Sequence, residues 1–119
     1  MSYQFYTIAH VVGVLFLFTA LGALAATAGS SSAPLRRIAS IAHGVALALI
    51  FVAGFGLLAR LGYFGDIPIW AYLKMALWLV LGLVVLPLKK KPEWAATLWV
   101  LMPVAGGLAV WLAVAKPLG

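Results

Sequence analysis

The sequence predicts an all-α fold, a four-helix transmembrane bundle with up-down-up-down antiparallel topology. Of the 119 residues 66% are hydrophobic and 8% charged, with a mean hydropathy of +1.18. Globular domains carry roughly a quarter charged residues, so this composition belongs in lipid. The charged side chains leave apolar stretches of nearly equal length. None precedes Arg36, none lies in residues 38–59 or 94–115, and residues 67–88 hold only Lys74. Stretches of about 22 residues reach roughly 33 Å, enough to cross a hydrocarbon core. The connections are short, which turns neighbouring helices antiparallel.

A single integral membrane domain over residues 1–119 is expected, with helices at about 3–28, 34–59, 67–88 and 92–115. Ala26-Thr27-Ala28 also has the small-x-small form of a signal-peptidase site. Against that alternative, no Lys or Arg precedes the first apolar run, and cleavage would turn the most basic loops outward. Gly29-Ser30-Ser31-Ser32-Ala33 reads as a flexible turn. Pro34, Pro68 and Pro92 stand at helix starts, where a missing N–H costs nothing. Asp66 is placed to cap the third helix, and Glu93 suits the positive end of the fourth. Pro103 removes the backbone bond to the Trp99 carbonyl and should kink the fourth helix.

Loop charge sets the orientation. Arg36, Arg37, Lys89, Lys90 and Lys91 share one side; Arg60 and Lys116 occupy the other. The more basic side is cytoplasmic by the positive-inside rule, which places both termini outside (N-out, C-out) in a bacterial inner membrane. The net charge of +6 is thereby explained as a topology signal, with no nucleic-acid partner. Zero cysteine excludes thiolate metal sites and iron–sulfur clusters. One Asp, one Glu and no phosphate loop leave metalloprotease, nucleotide-binding and triad chemistry without parts.

Ionisable residues at membrane depth mark functional sites, and there are three: His10, His43 and Lys74. Measured from the span centres, His10 lies roughly 8 Å outward and His43 roughly 8 Å toward the cytoplasm. About 16 Å along the membrane normal separates two imidazoles that would need to approach within roughly 4 Å to share one iron. They are therefore not a pair of ligands. Lys74 lies roughly 5 Å outward, in the same half as His10. With Tyr6, Thr7 and Tyr72 the two could line one cavity open to the outer face, suited to a proton relay, an anion, a quinone headgroup or a propionate. The alternative is a snorkelling Lys74 on a helix bearing Trp70 one turn earlier. His43 shares a face with Arg36 and Ser40 at i, i+4, i+7 spacing. One reading is a haem ligand with Arg36 meeting a propionate; the other is a hydrogen bond to a neighbouring carbonyl, with glycines drawing the helices together.

Small residues are common in the spans, among them Gly13, Gly22, Gly54 and Gly106, and permit close packing within the chain or against a partner. Trp70, Trp94, Tyr63 and Tyr72 stand near the boundaries and read as an interfacial aromatic belt.

Ala9-His10-Val11-Val12-Gly13, His43-Gly44 with Gly54-Phe55, and Trp70 followed by Lys74 form a pattern of histidine, glycine and W-x-x-x-K. It resembles the HemJ-type protoporphyrinogen oxidases and CopD-type copper-resistance proteins, and more closely uncharacterised four-helix bacterial inner-membrane proteins of this length. The resemblance covers the first three helices. It implies a bundle able to hold haem b, with His10 as the iron ligand and Lys74 beside it. The expected function is an accessory or cofactor-binding component, for haem b or a quinone, associated with a membrane redox complex. Its expected partners are the lipid bilayer and either a larger membrane complex or further copies of itself through the Gly/Ala faces. A stand-alone HemJ-like oxidoreductase is the second expectation. A small transporter or anion channel is the third; the first helix lacks the carboxylate on which small multidrug exporters depend.

Overall fold

A computed structural model describes residues 2–29 and 33–116. Among these residues the chain forms α1 (Tyr3–Ala26), α2 (Ala33–Arg60), α3 (Ile69–Leu83), α4 (Val85–Lys90) and α5 (Ala95–Ala115), with a 3-10 turn at Pro92–Trp94. Four spans long and apolar enough to cross a membrane result: Tyr3–Ala26, Ala33–Arg60, Ile69–Lys90 and Pro92–Ala115. The protein is an all-α, integral membrane four-helix bundle. Ser30, Ser31 and Ser32, at the centre of the expected flexible turn, lie outside the described residues.

Cross-helix pairs fix the antiparallel order. Along α1 and α2, Gly13 meets Ile50 while Arg36 reaches Leu24. Along α2 and α3, His43 bonds Leu81 and Trp78 bonds Leu47. Lys116 lies over Trp70, which sets the end of α5 beside the start of α3. The beginnings of α1 and α3 and the ends of α2 and α5 thus gather at one end, here the terminal end. Lys89, Lys90 and Arg36 mark the other, the basic end.

Helix limits follow from local chemistry. Ser2 caps α1, its hydroxyl accepting the Phe5 N–H at 3.1 Å. At the far end of α1 the Arg36 guanidinium donates to the Leu24 carbonyl (3.0 Å) and the Thr27 hydroxyl (2.8 Å). A cation at a helix C-terminus meets unpaired carbonyls and the negative end of the dipole. Arg36 therefore closes the end of α1. The end of α2 is closed by Gly62, whose φ of +81° is left-handed; its N–H bonds Ala59 while the Tyr63 N–H bonds Leu58. This pair of bonds is the Schellman motif.

Two expected ends move. The third helix starts at Ile69 with Pro68 as its cap residue and no side-chain cap, so Asp66 does not cap it. Pro68 holds an extended backbone and biases Ile67 away from the helical region, which leaves Asp66 too far upstream. Asp66 instead donates its backbone N–H to Tyr63 in the preceding turn. Within the same span, the helix breaks at Val84 between α3 and α4. Pro87 has no N–H to offer the Leu83 carbonyl and crowds it, which accounts for a break at that place. Around Pro103, α5 continues as one helix.

The buried residues fall into two clusters. Leu17, Leu21 and Leu24 of α1, Ala46 and Ile50 of α2, Leu81, Leu88 and Met102 fill the basic half. Leu58, Trp70, Ala71 and Leu112 form a smaller group at the terminal end. Between lipid and a lipid-like interior there is no hydrophobic gain, so the bundle relies on close packing and interhelical hydrogen bonds. Gly56 gives the Tyr6 ring its place and Gly106 that of Phe18; a Cβ at either would collide with the ring.

Candidate functional site

The two core clusters leave a cavity of about 430 Å³ between them, within the size range of small-molecule sites. Walls come from α1, α2, α3 and α5. They are apolar except for a few groups toward the terminal end: Tyr3, His10, Trp70, Lys74 and Lys116. No Asp or Glu lines it. Leu17, Phe18 and Leu81 form the wall toward the basic half.

His10 enters from α1 opposite Gly54 on the facing helix, where a Cβ would stand 3.5 Å from the ring in ordinary van der Waals contact. The imidazole is half-buried, and its Nδ1 lies 3.2 Å from the Ile50 carbonyl oxygen. A carbonyl oxygen only accepts, so Nδ1 carries the proton, and in the neutral ring Nε2 keeps its lone pair. An imidazole anchored through one N–H to a backbone carbonyl is the usual preparation for a histidine that ligates or accepts through its other nitrogen.

Lys74 stands in the wall of the same cavity, as does Lys116 at the end of α5. The Lys116 ammonium lies 5.6 Å from the centre of the Trp70 ring, within cation–π range. Trp70 is only 4% exposed and packs edge-on against Tyr63, ring centres 5.6 Å apart. Its indole N–H is buried without a hydrogen-bond partner. The expected place of Trp70 in an interfacial belt is therefore wrong: its position two residues after Pro68 turns it inward onto Leu58, Ala71 and Leu112. Tyr72 and Trp94 do face outward, at 56% and 50% exposure.

His43 lies elsewhere. It is 5% exposed, and its Nε2 donates to the Leu81 carbonyl at 3.1 Å, tying α2 to α3 in the basic half. It is not part of the cavity wall, so the structure gathers His10 with Lys74 and leaves His43 apart. Among the described residues no three His, Asp, Glu or Cys side chains come together as a metal site. The other residues expected beside His10 are absent from the wall: Thr7 bonds the Tyr3 carbonyl of its own helix, Tyr6 packs on Gly56, and Tyr72 faces outward. Tyr3, Trp70 and Lys116 take those places. Lys116 had a sequence signal, as a second cation at the end of the antiparallel neighbour of Lys74. Comparison of the chain with family models, with curated proteins and with solved structures finds no match.

Proposed function

We propose that this protein is a small inner-membrane component that holds a flat, apolar redox cofactor, haem b or a quinone, in the cavity beside His10, as an accessory of a larger membrane redox complex. One observation carries the reading: a histidine in the wall of an otherwise apolar intramembrane cavity whose Nδ1–H is committed to the Ile50 carbonyl. Its Nε2 would then be available to hold haem iron or to accept from the hydroxyl of a quinol. When bound, such a group would supply one-electron chemistry. The chain contributes a donor nitrogen, apolar walls and cations at one end. The resemblance to HemJ-type proteins supports haem b, with His10 as its one histidine ligand.

A through-channel is disfavoured because the wall toward the basic half is built of Leu17, Phe18 and Leu81. Gly22, Gly44 and Gly107 have open space where a side chain would be, which suits a partner's helix or a second copy of this chain. The reading is tested on protein purified in mild detergent by its absorption spectrum and by analysis of its organic extract. A Soret band or a stoichiometric quinone is expected; the absence of both overturns the proposal.

A further inference from the structure

We infer that the terminal end of the cavity is an anion subsite, which receives the carboxylate of a molecule whose apolar body lies in the cavity against His10. The inference rests on the cavity being a ligand site, as proposed above, and adds the chemistry of the ligand's head. Three observations converge there. Two ammonium groups, Lys74 and Lys116, line the cavity, and neither of the chain's two acids, Asp66 and Glu93, does. The Lys74 ammonium, half-buried within the third span, calls for a counter-charge or a route to water, while Lys116 is exposed at the end of α5. The second observation is the Trp70 indole N–H, more than nine-tenths buried in the cavity wall and without an acceptor. A buried donor left unpaired costs roughly 1–3 kcal/mol, so an orphan of this kind points to a missing acceptor. Third, Trp70 lies in the first turn of α3, at the end of the helix where the dipole favours negative charge.

Cations and donors at one end and apolar walls beyond it are complementary to an amphiphile with an acidic head. A neutral quinone ring offers this end only carbonyl oxygens and, among the described residues, leaves the half-buried Lys74 ammonium without a counter-charge. A carboxylate answers the two charges and the indole N–H together. It has two sources, the propionates of haem or a free fatty acid from the membrane.

The test uses the full-length protein in nanodiscs of phosphatidylcholine, which carries no net charge. Four probes are titrated: haemin, its dimethyl ester, oleate and methyl oleate. The free acid of at least one pair should bind ten-fold or more tightly than its ester. Combining Lys74→Gln with Lys116→Gln should remove that preference, and Trp70→Phe should weaken acid binding several-fold with the ester unaffected. Preference in the haemin pair alone identifies a propionate site; preference in the oleate pair identifies a fatty-acid site. Equal binding of acid and ester in both pairs on the wild-type protein overturns the inference, whatever the variants do. The two proposals fail separately. Haemin and its ester bound equally well, with oleate and methyl oleate also equal, would keep the cofactor reading and remove the anion subsite. Oleate bound with ester discrimination, in a protein that takes neither haem nor quinone, would do the reverse.

Discussion

Two histidines, both at membrane depth, each donate to a backbone carbonyl of another helix, but only His10 lines the cavity. His43 is buried and donates to the Leu81 carbonyl across to α3. An interhelical hydrogen bond in a membrane protein contributes about 0.6 kcal/mol on average, and model peptides reach about 1–2 kcal/mol. His43→Ala also leaves a cavity, so it should destabilise the bundle by about 1–3 kcal/mol. Unfolding followed in rising SDS would measure this, and an unchanged midpoint would remove His43 from the architecture. The sequence already separated the two histidines by depth on antiparallel helices. It could not show that His43 would find a carbonyl, because that depends on the rotation of α3 about its own axis. Trp70 was misread for the same reason. Boundary position is visible in a sequence, whereas the direction a ring takes from its helix depends on packing against Leu58 and Leu112.

At the scale of elements, α1 and α2 form the most closely packed pair, and glycines decide how closely. A Cβ on Gly13 would stand 2.9 Å from Ile50, and one on Gly56 would collide with the Tyr6 ring, whereas one on Gly44 would meet open space. Gly56→Ala should therefore destabilise the bundle by about 1–3 kcal/mol as an overpacked contact. Gly44→Ala should leave stability unchanged or slightly raised, since alanine is the better helix former. Measuring both in one detergent checks the helix rotation, and reversal of their order would contradict it. Spans were legible from charge spacing to within a few residues, because an uncharged length is a one-dimensional property. Ends were less so. Asp66 lost the cap position to the backbone of Pro68, and the Schellman closure at Gly62 needs a left-handed residue whose identity alone does not announce it.

At the scale of the whole molecule, the charge asymmetry and the cavity point the same way. Three basic side chains, Lys89 and Lys90 in the last turn of the third span and Lys91 just after it, stand at the end opposite His10, Trp70, Lys74 and Lys116. If the basic end faces the cytosol, the cavity's polar mouth faces outward. Because the chain has no cysteine, single substitutions make clean reporters. Ser2→Cys should react with a membrane-impermeant maleimide on intact cells from which the outer membrane has been removed, and Lys90→Cys only after lysis. The opposite pattern would invert the orientation. The candidate site was half legible: three rare ionisable residues drew attention to His10 and Lys74, while the cavity joining them arises from four helices and has no sequence signature.

The most direct test of the account compares the purified wild-type protein with His10→Ala and His43→Ala, each scored for bound haem by its Soret band and for quinone by extraction. A cofactor near one per chain is expected in the wild type, with its loss in His10→Ala and its retention in folded His43→Ala. Full occupancy in His10→Ala, or loss confined to His43→Ala, would contradict it.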